Sequence, residues 1–236
     1  MNSKIITSLV EPFIKLKILD NKKNKVIYNQ TLRQKEKYSF YQKAFDFLYS
    51  NNISGAYFEF GCHKARTIRF ALRESIIKNI DMDFYAFDSF KGLPNHKNNT
   101  NQNAWYLEGR LKTEISKFKK LIKPFEKYKK IFIIKGFYKN SLTPKLKQKF
   151  KKKKIKTSFI NIDCDLEISV KESLNFALNY ITNGTILYVD DYYTTHKGDT
   201  RKGIPKIVSQ LLKRHKIHYE PWHLIGAAGK SFLLYK

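Results

Sequence analysis

The chain has 236 residues, 42% of them apolar, enough to bury an ordinary core and to exclude a disordered protein. No apolar run approaches membrane-spanning length, Glu11-Pro12 interrupts any signal-peptide core, and two cysteines make no disulfide or zinc framework; a soluble, cytoplasmic protein with reduced thiols is expected. The formal charge of +26 invites a nucleic-acid reading, but only seven of the 46 basic residues are Arg, the better fork for phosphates and bases, and the abundance of Lys, Asn, Ile, Phe and Tyr matches A/T-rich codons. Specific nucleic-acid binding is therefore disfavoured, while a basic rim suits an anionic small substrate.

Residues 1–37 show no apolar period and read as an irregular or partly helical extension. Phe40, Tyr41, Ala44, Phe45 and Leu48 then share one helical face, ended by Asn51-Asn52. Ala56 to Phe60 is an apolar run broken only by Glu59, and it turns through Gly61 into a helix pattern from Thr67 to Ile77. A strand that passes through Gly into a helix is how a nucleotide-binding βαβ unit opens. The next strand, Phe84 to Phe87, ends in Asp88, an acid at a position where ribose hydroxyls are commonly bound. A capped strand end explains Asp88 equally well.

Asn95 to Asn103 is a polar loop or lid. Leu107 to Phe125 reads as a Lys-covered helix with Leu111, Ile115, Phe118, Leu121 and Ile122 facing inward. Ile131 to Ile134 is a third strand, ending at Gly136-Phe137. Lys145 to Lys156 is a solvated helix or loop.

Phe159 to Ile162 and Thr185 to Val189 are apolar runs that end in Asp163-Cys164-Asp165 and Asp190-Asp191, with a helix pattern from Val170 to Ile181 between them. The crossover makes the strands parallel, so the acids leave the sheet at one carboxyl edge, where open α/β sheets bind ligands. Carboxylates gathered there must be protonated, hydrogen-bonded or bridged by a cation, and an all-oxygen set suits Mg²⁺ or Ca²⁺. The plainer account is a strand end and a helix cap. His196 and Arg201 fall in a polar loop, Ile204 to Leu211 is another helix face, and Ser231 to Tyr235 is a final strand.

Set side by side, YFEFGCHKART, YAFDSFKGLP, KGFYKNSL, FINIDCDLEISVKESL, ILYVDDYY and RKGI make residues 55–236 resemble the macrocin O-methyltransferase family, class I S-adenosylmethionine-dependent enzymes that methylate sugar hydroxyls with a metal ion. The resemblance implies an α/β, Rossmann-like, seven-stranded, mostly parallel sheet with helices on both faces and an antiparallel last strand. Residues 1–54 would be an extension packed on a methyltransferase domain at 55–236. It places Glu59, Phe60, Gly61 and Thr67 around the methionine and ribose of S-adenosylmethionine, Asp88 and Ser89 near the ribose, and Gly136 and Phe137 near the adenine. Asp163, Asp190 and Asp191 become the Mg²⁺ ligands, and Asp163 or Asp165 the proton acceptor. Ala65-Arg66 stands where the family has a glycine pair, and Glu167-Ile168-Ser169 departs from its usual DLYEST run.

The acceptor implied is a sugar, sugar phosphate or nucleotide sugar, as in bacterial capsule, lipopolysaccharide or glycoside biosynthesis. An RNA methyltransferase using the Lys-rich surface and a non-catalytic nucleotide- or glycan-binding module stay open, as does assembly into a homo-oligomer.

Overall fold

The computed structural model describes residues 22–95 and 107–236. The expectations for the first 21 residues, and for most of the polar stretch from Asn95 to Asn103, lie outside these. A long helix α1 (Lys22–Ser50) leads into β1 (Ala56–Phe60), α2 (Arg66–Ile77), β2 (Phe84–Asp88), α3 (Ile115–Ile122) and β3 (Ile131–Lys135). The short α4 (Tyr138–Ser141) and α5 (Pro144–Lys152) follow, then β4 (Thr157–Ile162), α6 (Glu167–Ala177), β5 (Ile181–Val189), α7 (Gly203–Arg214), β6 (His218–Ile225) and β7 (Gly229–Tyr235).

The seven strands form one sheet in the order β3-β2-β1-β4-β5-β7-β6. Every pairing from β3 to β5 is parallel, and β7 inserts antiparallel between β5 and β6. This is the doubly wound sheet with an antiparallel last strand that the resemblance implies.

Strand alternation decides which layer each β1 side chain enters. Phe58 and Phe60 join the core cluster with Phe150 of α5, Leu174 and Phe176 of α6 and Val208 of α7. Tyr57 joins the cluster on the opposite face, with Phe40, Tyr41 and Phe45 of α1, Ile68 and Leu72 of α2, and Phe118 of α3. Helices thus cover both faces. Those on the second face meet the sheet through aromatic rings, with Tyr41 stacked on Phe159 at 5.2 Å. No helix among the described residues is long and apolar enough to cross a membrane.

One expectation is corrected and two are sharpened. Of the two readings of the N-terminal segment, irregular or partly helical, the second holds, since the helix that ends at Ser50 begins at Lys22. The inward helix proposed for Leu107 to Phe125 is confined to Ile115–Ile122 plus one 3₁₀ turn; Leu111 sits in the left-handed region at φ 60° and is exposed, so it faces solvent rather than the core. β6 was not foreseen, because it is an edge strand containing Pro221 and mostly polar or exposed positions.

Candidate active site

The chain winds from β1 outward to β3 and then from β4 outward on the other side, so the order reverses between β1 and β4. Ligand clefts open at such a switch point. Here the two strand ends touch: Asp163 N–H donates to the Phe60 carbonyl at 2.8 Å. Gly61 has φ 87°, and a Cβ on it would lie 1.8 Å from the Asp163 carbonyl oxygen. Only glycine lets the backbones meet so closely.

A cleft of about 850 Å³ opens above this junction. Gly61, Thr67, Asp88, Ser89, Gly136 and Phe137 line one part of it, and Asp163, Asp165, Asp190 and Asp191 another. Two residues named with them stand apart. Phe60 and Glu59 are fully buried beneath the cleft floor and do not line it.

The Asp88 carboxylate closes the turns on either side of it, accepting Cys62 N–H at 2.7 Å and Phe90 N–H at 2.6 Å. Both the capping and the cleft-lining descriptions therefore hold at once. The turn between β1 and α2 carries Lys64 and Ala65 at φ 51° and 52°, so Ala65 adopts a glycine-like angle at the first of the two positions where the resemblance implies glycines, whereas Arg66, the second, is already helical at φ −72°. Cys62 and Cys164 are both free and buried.

Glu59 points from β1 toward α1. Its Oε2 accepts from the Tyr57 hydroxyl and, at 3.2 Å, from Asn161 Nδ2, and Tyr57 and Tyr41 share a further hydroxyl contact at 2.9 Å. Burial raises its pKa to about 7 against the opposing pull of these hydrogen bonds. Between about pH 4.5 and 7 the folded chain thus holds a proton that the unfolded chain has released, and the contribution of Glu59 to stability falls as pH rises through that window. Glu59→Gln should flatten this part of the stability profile and, at pH 8, exceed the wild type by up to about 3 kcal/mol. Urea unfolding at pH 5 and pH 8 checks it; a wild-type difference that survives unchanged in the variant would count against the assignment.

The acid cluster lies on the ends of β4 and β5. One carboxylate oxygen from each of Asp163, Asp190 and Asp191 falls within 4.8 Å of the others. Asp190 and Asp191 are buried, whereas the Asp163 side chain keeps 24% of its surface open. Sequence reasoning missed what faces them. Lys37 of α1, only 5% exposed, places Nζ 2.7 Å from Asp190 Oδ1 and 3.4 Å from Asp163 Oδ2. Arg33, one turn earlier, places Nη2 2.7 Å from Asp190 Oδ2 and 3.9 Å from Asp191 Oδ1. The Tyr188 hydroxyl also donates to Asp190.

These contacts divide the acids. Burial alone would raise Asp190, but Lys37 and Arg33 overcome it and hold that carboxylate below its ordinary value. Burial and the charge on Asp190 push Asp163, Asp165 and Asp191 upward. Four carboxylates face two fixed cations, so full ionisation leaves a deficit of two positive charges. One divalent cation, or shared protons, would make it up. The donor set, all carboxylate oxygen with Asp163 open to the cleft, fits a hard ion such as Mg²⁺.

His196 does not join this group. Its Nε2 lies 3.3 Å from Glu167 Oε1 in a partly exposed pair.

A doubly wound sheet with one antiparallel strand inserted near its edge, a glycine-floored cleft at the switch point and acids on the next two strands define an α/β methyltransferase. The model of the macrocin O-methyltransferase family, TylF, matches residues 23–223, and the chain belongs to that family of O-methyltransferases. Among solved structures it is similar to the O-methyltransferase NovP, at 18% identity over 85% of this chain and 80% of that one, with a TM-score of 0.63. It is also similar to the calicheamicin methyltransferase CalS11, at 16% identity over 99% and 94% of the two chains, with a TM-score of 0.70. Those two likenesses describe a shared fold. A sequence comparison with curated proteins gives no match.

Proposed function

We propose that this protein transfers a methyl group from S-adenosylmethionine to a sugar hydroxyl, with a divalent ion at the acid cluster. The observation that carries the reading is the juxtaposition, in one cleft, of a glycine-floored strand-to-helix turn and three carboxylates whose oxygens fall within 4.8 Å. Family membership supports the methyl donor. The sugar is supported by a second solved structure of CalS11, which describes that protein as a TDP-rhamnose 3'-O-methyltransferase of calicheamicin biosynthesis (16% identity over 81% of this chain and 78% of that one, TM-score 0.56).

In this reading S-adenosylmethionine would supply an electrophilic sulfonium methyl, and Mg²⁺, which Asp163, Asp190 and Asp191 would hold, would supply the Lewis acidity that lowers a hydroxyl pKa. The chain's own residues do the rest. Gly61 lets the donor approach the backbone; Thr67, Asp88 and Ser89 offer hydrogen bonds along the β1–β2 side, and Gly136 and Phe137 form the wall at the end of β3. Asp163, the most open of the three acids, accepts the proton of the acceptor hydroxyl, with Asp165 as the neighbouring candidate. Asp190, kept ionised by Lys37 and Arg33 and oriented by Tyr188, and Asp191 beside it complete the ligand set. Direct displacement needs the acceptor oxygen in line with the methyl group, so this positioning supplies much of the rate. A nucleotide-linked or surface-glycan sugar agrees with the basic chain.

Calorimetry with S-adenosylhomocysteine, followed by methyl transfer to a panel of nucleotide sugars with and without EDTA, tests the proposal. Heat of binding and an EDTA-sensitive product are expected. Absence of binding both with and without Mg²⁺ sinks the cofactor assignment, and full activity in EDTA sinks the metal.

A further inference from the structure

The positive charge of this chain is not spread evenly. Residues 112–156 hold eighteen Lys, no Arg and two acids, Glu114 and Glu126, so this stretch carries +16 of the chain's +26. Seventeen of these lysines are exposed, and Lys129 is half-buried. Among the described residues only Lys112 of the set forms an ion pair, with Glu114.

The fold gathers them at one end of the sheet. β3 is the edge strand; α3 packs through Phe118 and Ile122 on one face and α5 through Phe150 on the other, so lysines line the edge and both flanks. Two aromatic side chains emerge among them. Tyr128 is 58% exposed and Phe132, on β3 itself, is 36% exposed. Lys127 lies over the Tyr128 ring at 4.7 Å and Lys153 over Phe132 at 5.9 Å.

Lysines commonly guard an edge strand against pairing with another chain. A five-residue strand needs few of them, and those of α3 and α5 lie outside any reach for pairing. The all-Lys character also argues against a nucleic acid, which favours the bidentate guanidinium at phosphates and bases. A fluid sheet of anionic headgroups asks only for many point charges and for aromatic rings able to sit at the interface. We infer that the β3 edge, with the exposed lysines of α3 and α5 and the rings of Tyr128 and Phe132, is a docking surface for an anionic phospholipid bilayer. The docking is peripheral and independent of the methyl-transfer reading.

Flotation of the whole protein at physiological salt tests it, with vesicles of phosphatidylcholine alone and of phosphatidylcholine mixed with phosphatidylglycerol. The protein should rise with the mixed vesicles only. Replacing Lys127, Lys130 and Lys152 together by Gln should weaken binding by roughly tenfold or more, given the attraction each surface cation contributes. Replacing Lys206, Lys213 and Lys216, exposed cations of and just beyond α7, removes the same charge from the other end of the sheet and should leave binding within about twofold. These exposed substitutions should leave folding intact, and thermal melting of each variant checks that. Three results overturn the inference: no flotation with anionic vesicles, equal losses in the two triple variants, or a homopolymeric RNA that strips the protein from the vesicles at equal phosphate concentration.

Discussion

Lys37→Met is expected to melt roughly 10 °C below the wild type in the absence of divalent ions, and to regain most of that difference on adding Mg²⁺. Methionine keeps an unbranched apolar stem in place of the lysine's but ends one atom short and removes the charge. Asp190, 3% exposed, and Asp163 then lose the ammonium that lies between them. Breaking a buried ion pair from one side costs about 3–5 kcal/mol, and the lower end applies because Arg33 stays on Asp190 and Asp163 remains partly open. A domain of this size loses roughly 2–4 °C per kcal/mol. An ion that binds only the folded state stabilises it by mass action, and in the variant it meets less competing positive charge. The Mg²⁺-dependent rise in melting temperature should therefore be larger in the variant than in the wild type. A variant that melts like the wild type would show that Lys37 does not neutralise the cluster. Equal Mg²⁺ responses in both proteins would remove the ion from it.

Asp190→Asn should lower turnover by about three orders of magnitude, roughly 4 kcal/mol of transition-state stabilisation, while S-adenosylhomocysteine affinity stays within a few-fold. Asparagine preserves the shape and can still accept from Tyr188 or Lys37, but it cannot serve as an anionic ligand beside Asp163 and Asp191. The donor is proposed to bind on the β1–β2 side, away from this side chain. The split between catalysis and donor binding is what separates a role in the reaction from a role in folding. Single-turnover kinetics on an accepted sugar, paired with calorimetry and a melting curve, reads all three quantities. Normal turnover by Asp190→Asn would leave the acids as strand caps.

The parts of this fold that are buried on both sides were legible in the sequence. β1, β2, β4 and β5 are runs of apolar residues because helices cover both faces of the sheet, and their acidic or glycine ends mark where each leaves it. β6 has one neighbour and much exposure, and its composition carries little of that signal. The first half of α1 was hidden for a more instructive reason. Arg33, Lys37, Tyr41, Ala44 and Leu48 lie at helical spacing on one stripe, but its first two members are cations. The stripe changes from apolar to charged where α1 passes from the sheet face to the strand ends, so an apolar-period search stops at Phe40. Continuing the stripe backward from Tyr41 by two steps of four residues would have found Lys37 and then Arg33. The acids were legible as a cluster; what neutralises them was not, because that depends on contacts 126 and 157 residues apart in the chain.

Arg33 and Lys37 ride on the same unbroken helix as Phe40, Tyr41 and Phe45, whose rings are locked into the core below. The two cations cannot retreat from the acids together by a swing of the helix without tearing those rings out of their packing. Their own side-chain torsions are the cheaper freedom. Yielding the carboxylates of Asp163 and Asp190 to a metal ion would then ask for rotamer changes of Lys37 and Arg33, slower for the buried lysine than for an exposed side chain, and not for the motion of a lid. Loading of the ion would thus leave the backbone of α1 where it is.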